Sequence, residues 1–151
     1  MNLNRHQIAW RVAQDIPGGA YVNLGSGMPI LVAEHVPHGR EVIFHSENGL
    51  LGVGPRQTRE PFDRNLINAG NMPVTLLPGG AFFHHGDSFV MVRGGHIDIS
   101  VLGAYQVAAN GDLANWDLPG GRKTPAVGGA MDLAVGAKQV FVMMEYFAKD
   151  G

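Results

Sequence analysis

Glycine constrains this chain more than any other residue. There are 22 among 151 residues, roughly twice the usual share of about 7%, and they cluster at the ends of apolar segments. A chain punctuated this way folds as many short elements joined by tight turns. Behind Asn4, Ile8, Val12, Ala13 and Ile16 recur at spacings of three and four, and Gln7 stands three residues after that candidate cap. This predicts a helix ending before Pro17-Gly18-Gly19. Ala20 to Leu24 is short and β-prone and breaks at Gly25-Ser26-Gly27, after which Pro29 suits the first turn of a helix reaching Val36. Glu41 to His45 alternates like a strand and breaks at Ser46-Glu47-Asn48-Gly49. Gly52 to Arg64 turns to glycine, proline and charge and predicts a long loop, and Val74 to Leu77 is a strand stopped by Pro78-Gly79-Gly80. A helix over Asp87 to Arg93, closed by Gly94-Gly95, leads into a strand over Ile97 to Leu102. A turn at Asn110-Gly111-Asp112, a loop over Pro119 to Lys123, a helix from Gly128-Gly129 through Val135 and a strand over Gln139 to Glu145 complete the pattern.

Strands alternating with helices predict an α/β fold, a mostly parallel sheet flanked by helices on both faces, with ligand sites at the carboxyl ends of its strands. No repeat or linker divides residues 1–151, so one domain is expected. Eleven basic against 13 acidic side chains give a net charge of −2, which excludes a basic polyanion-binding protein, so no nucleic-acid partner is expected. No run of about 18 apolar residues predicts a membrane span, and the first residues lack the pattern of a signal peptide. Zero cysteines remove disulfides, thiolate metal sites and cysteine nucleophiles, and fit a reducing cytoplasm. The last strand has no element after it to cover it, so the domain is expected to be truncated at its C-terminal end and poorly stable alone.

Glu47 stands out. A carboxylate at a strand exit between glycine-rich turns can be presented as a nucleophile elbow presents serine. With an ordinary pKa near 4.3, glutamate is ionised at neutral pH and attacks a carbonyl without a general base. The competing reading is a solvated turn residue, because Asn48-Gly49 is also a common hairpin dipeptide. Gly128-Gly129 could expose backbone N–H groups to an oxyanion or a phosphate. Gly25-Ser26-Gly27 could let backbone approach a nucleotide but is neither G-x-G-x-x-G nor a P-loop, and a plain strand-to-helix turn is the reading expected first. His84-His85 with Asp87 has metal-ligating residue types, yet adjacent histidines on an extended chain point in opposite directions, so a structural role is expected and no metal. Arg56, Arg59 and Arg64 could meet substrate carboxylates or simply be solvated. Val140 to Met144 is core material.

Together several motifs resemble one family. Tyr21-Val22-Asn23-Leu24-Gly25-Ser26-Gly27-Met28-Pro29, Ser46-Glu47-Asn48-Gly49-Leu50-Leu51-Gly52-Val53-Gly54-Pro55, Asp112-Leu113-Ala114-Asn115-Trp116 and Gly128-Gly129-Ala130-Met131-Asp132-Leu133 resemble, in order and spacing, the B (beta) subunit of family I CoA-transferases. Leu66-Ile67-Asn68-Ala69-Gly70 and Arg93-Gly94-Gly95-His96 match as well. The resemblance is to 3-oxoacid CoA-transferases, and Phe82-Phe83-His84-His85 is similar to the β-ketoadipate branch. Asn71 departs from the pattern, standing where many members carry lysine.

The resemblance implies a ribose-phosphate-isomerase-like fold and an active hetero-oligomer with a CoA-transferase A (alpha) subunit. It implies Glu47 as nucleophile, the Gly129 amide with Gly128 beside it as oxyanion hole, and Asn23, Gly25, Gly27 and Asn48 near CoA. CoA, passed from an acyl-CoA such as succinyl-CoA to a 3-oxoacid carboxylate, is then a co-substrate and no cofactor is bound permanently. An acyl-CoA hydrolase using the same glutamate would differ in releasing CoA without a carboxylate acceptor. A non-catalytic chain that binds an acyl-CoA or sugar phosphate would differ in forming no adduct.

Overall fold

The computed structural model describes residues 3–117 and 127–145. The loop expected over Pro119 to Lys123 and the residues after Glu145 lie outside them.

Helix α1 (Arg5–Asp15) starts at a complete capping box: Asn4 accepts from the Gln7 amide and the Gln7 side chain accepts from the Asn4 amide. At its other end the Arg40 guanidinium donates to the carbonyls of Ala13, Gln14 and Ile16 at 3.3, 3.0 and 2.8 Å, satisfying acceptors that a helix end leaves open. The strands are β1 (Tyr21–Leu24), β2 (Ile43–Ser46), β3 (Leu50–Arg56), β4 (Val74–Phe82), β5 (Ile99–Gly103), β6 (Gln106–Val107), β7 (Leu113–Ala114) and β8 (Gln139–Met143). Helices α2 (His85–Arg93) and α3 (Ala130–Gly136) complete the described elements, none of which is a helix long and apolar enough to cross a membrane.

Six strands form one sheet in the order β4-β3-β2-β1-β5-β8, and β6 and β7 make a separate hairpin. Pairings β1–β2, β1–β5 and β5–β8 are parallel, whereas β2–β3 and β3–β4 are antiparallel. The fold is therefore α/β with a mixed, mostly parallel sheet flanked by helices, as expected. Val22, Ile99, Val101 and Met143 face α1 in one apolar cluster with Ala9, Ala13 and Ile16. The alternate residues face the other way, where Leu102 joins Val92 of α2 and Leu133 of α3.

Three expectations are corrected. The segment after Pro29 is a 3-10 helix, Met28–His35, rather than an α-helix. The stretch from Gly52 is not loop at its start, because β3 runs on to Arg56; nor does β4 stop at Pro78-Gly79-Gly80, since it continues to Phe82. The two strand extensions have one cause. The pairing shifts register between Leu51 and Val53 and again before Arg56, and such bulges accommodate residues that regular ladders reject. There a Cβ on Gly52 would lie 2.9 Å from the Gly80 Cα, so glycine permits the close approach.

Candidate active site

Glu47 follows β2 directly and lies in a turn closed by the Gly49 amide donating to the Ser46 carbonyl at 3.0 Å. The turn joins antiparallel strands β2 and β3, so the local geometry is the hairpin that Asn48-Gly49 suggests and not a strand-to-helix elbow. Gly49 has φ 116°, and a Cβ there would run into the Phe83 carbonyl oxygen; no other residue fits. Two further bonds pin the turn to the following loop. The Ser46 hydroxyl accepts from the Ala69 amide at 2.8 Å, and the Asn48 amide donates to the Ile67 carbonyl at 2.7 Å.

The Glu47 side chain is half-buried rather than solvated. Its Oε2 accepts from Asn23 Nδ2 at 2.9 Å, and Asn23 is fully buried on β1. No other bond to the carboxylate comes from the described residues. The Glu47 carbonyl, which can only accept, lies 2.9 Å from His85 Nδ1, so that ring nitrogen donates. His85 packs edge-on against Phe89 with centroids 5.0 Å apart.

Glu47 and Asn48 line a cleft of about 610 Å³ together with Gly128, Gly129, His85 and Phe89. The expected nucleophile and the two expected glycines therefore line one cavity. Among the described residues neither the Gly128 nor the Gly129 N–H has an acceptor. Gly128 adopts φ 56°, and a Cβ on Gly129 would approach Phe89 Cζ to 2.8 Å, so glycine at 129 lets the turn sit against the aromatic ring. Arg93, at the end of α2, grips Asp132 of α3 through two bonds of 2.7 and 3.1 Å. Its guanidinium holds the Asp132 carboxyl below the usual carboxylate range, chiefly by hydrogen bonding.

Beneath the turn, Asn23 Nδ2 also lies 3.1 Å from His45 Nδ1, and His45 Nε2 lies 2.8 Å from the Ser88 hydroxyl of α2. Phe83 stacks on the His45 ring with centroids 6.0 Å apart and 14° between planes. Burial pushes the His45 imidazole down to about 4, so it is neutral at pH 7. Sequence reading passed over His45, although it lies two residues before Glu47, the period at which strand residues share a face. Ser88 is 43 positions away along the chain and left no local signal.

The remaining candidates lie elsewhere. Gly25 does not line the Glu47 cleft; its amide donates to the Val101 carbonyl at 2.8 Å. Gly27 lines a second, more apolar cleft of about 930 Å³ between the 3-10 helix and β2 to β4. His84 caps α2 by accepting from the Gly86 amide, while His85 turns to the Glu47 carbonyl. Elsewhere His6, Glu34 and His35 bring one donor atom each within 4.8 Å of the others, where the histidines bond to each other at 3.1 Å. Asn71, on the Glu47 cleft wall, has φ 59°, a left-handed conformation that asparagine tolerates well.

Comparison with known proteins follows the same site. The sequence profile described as Coenzyme A transferase matches residues 5–151. The chain is 60% identical over 149 residues to the B subunit of 3-oxoadipate CoA-transferase from Acinetobacter baylyi, covering 99% of this chain and 69% of that relative. It is 50% identical over 147 residues to the B subunit of succinyl-CoA:3-ketoacid coenzyme A transferase from Helicobacter pylori, covering 97% of this chain and 70% of that one. Among solved structures, an acyl-CoA transferase of Escherichia coli O157:H7 in a thioester complex with CoA superposes with a TM-score of 0.68 at 22% identity. That match covers 94% of this chain and 24% of the other, a likeness of fold.

Proposed function

The chain belongs to the coenzyme A transferase family, among its beta-type members, and from that premise we propose that Glu47 carries CoA covalently between an acyl-CoA and a 3-oxoacid. The carboxylate attacks the thioester carbonyl, the tetrahedral oxyanion takes hydrogen bonds from the Gly129 and Gly128 amides, and CoA thiolate departs, leaving an acyl-glutamyl anhydride. The thiolate then attacks the glutamyl carbonyl and expels the first acid, forming a glutamyl-CoA thioester. The acceptor carboxylate opens this by the reverse path. Succinyl-CoA is the proposed donor and 3-oxoadipate or acetoacetate the acceptor, following the names of the relatives. An alpha-type partner completes the enzyme and encloses the activated intermediates from water. CoA acts as a co-substrate, with no resident cofactor or metal in the scheme, and the zero cysteine count fits cytoplasmic work.

The observation that carries this reading is the shared cleft. A carboxylate tied at one oxygen faces the same cavity as two backbone amides that have no acceptor among the described residues. Oxyanion donors of that kind are worth about 10² to 10³ in rate each. Asn48 contributes to coenzyme binding from the cleft wall, whereas Asn23 acts on the nucleophile itself. Intact-mass spectrometry of the complete hetero-oligomeric enzyme after succinyl-CoA tests the scheme. The expected result is one CoA thioester, mapped by peptide analysis to Glu47; a transferase that turns over with no adduct on that residue would refute it.

A further inference from the structure

We infer that His45 is a positioning residue for this reaction, fixing the Asn23 amide so that its N–H groups, and not its oxygen, face the Glu47 carboxylate. The inference rests on the covalent role proposed for Glu47. A carboxylate only accepts, so the atom of Asn23 at 2.9 Å from Oε2 must be the amide nitrogen. That nitrogen has two hydrogens. One serves Glu47; the other lies toward His45, whose Nδ1 is 3.1 Å and whose carbonyl oxygen 3.4 Å away, and the shorter of these contacts needs a lone pair on Nδ1. His45 offers one only as the Nε2–H tautomer, in which Nε2 donates to the Ser88 hydroxyl at 2.8 Å.

Nothing on the far side of the amide does this work. Asn23 Oδ1 is buried without a partner among the described residues, as is Ser100 Oγ opposite it on β5, so no hydrogen bond from that side fixes the amide. If His45 carried its proton on Nδ1, two N–H groups would meet, and relieving that clash by rotation would aim Oδ1 at the carboxylate.

Two substitutions separate orientation from packing. Asparagine places an oxygen two bonds beyond Cβ, as Nδ1 is, and keeps the acceptor for Asn23; glutamine places its polar end three bonds beyond, as Nε2 is, and keeps only the Ser88 bond. In the complete hetero-oligomeric enzyme, His45→Gln is expected to lower kcat about tenfold to a hundredfold, the worth of a hydrogen bond to a charged group. KM should barely move, while His45→Asn stays within about threefold of wild type by the same scale. Ser88→Ala should lower kcat in the wild-type background and do nothing further in His45→Asn. NMR of ¹⁵N-labelled protein should report His45 as the Nε2–H tautomer whatever the activity. Equal loss in both histidine variants, no loss in either, or an Nδ1–H tautomer would overturn the inference. Wild-type adduct formation on Glu47 is scored separately, so failure of the covalent scheme is distinguishable.

Discussion

The two faces of the central strand β1 do different work. On one side Val22 enters an apolar cluster with Ile99, Val101 and α1. On the other, Asn23 lies in a row with His45 on β2 and Ser100 on β5, all buried and all polar. The first face gains from every methylene removed from water. The second gives up that gain and keeps two polar atoms without protein partners among the described residues. Adjacent residues thus divide apolar packing from a buried polar row, and burial by itself does not tell them apart.

The division can be broken experimentally. The largest effect is expected from Glu47→Ala, above the polar face: transfer in the complete enzyme falls by about 10⁴ or more, with thermal stability close to wild type. Near-normal turnover would end the assignment. Ile99→Ala, on the apolar face, should do the opposite. It is 2% exposed, so chemical denaturation should register a loss of about 2–5 kcal/mol while activity per folded molecule is retained.

Acid should expose the polar face next. The unfolded histidine binds a proton below about 6.5, whereas burial holds His45 neutral down to about 4. The unfolded state therefore takes up more protons between those values, and stability, full above about pH 6.5, falls as pH drops toward 4 by about 3 kcal/mol. Comparing denaturation of wild type and His45→Asn across that range isolates the histidine; identical slopes would contradict its buried neutral state. Smallest is Arg11→Gln, which removes an exposed pair with Asp15 and should cost under about 0.5 kcal/mol in a thermal melt.

Legibility in the sequence follows the range of the forces involved. The α1 boundary could be read because its cap is a contact between Asn4 and Gln7, three residues apart. Glu47 could be singled out because glycine and strand signals bracket it. The second half of the sheet misled, since Pro55, Pro78 and Gly79 signal loop unless a bulged partner strand is known to lie alongside. Pro78 is tolerated because β4 is an edge strand. The 3-10 geometry after Pro29 was also hidden, because apolar residues from Met28 onward fit either helix. The alignment of His45 with Ser88, and of Gly129 with Phe89, is created only by folding.

The register of β1 against β2 has one more implication. Asn23 sits opposite His45, and side chains change face at every residue, so sliding the strands past one another by a single position would swap a valine or leucine in beneath the carboxylate. The hydrogen bond to the Glu47 carboxylate is thereby inherited from the pairing of the sheet. A loosely assembled intermediate would lack the Asn23 bond that ties that carboxylate.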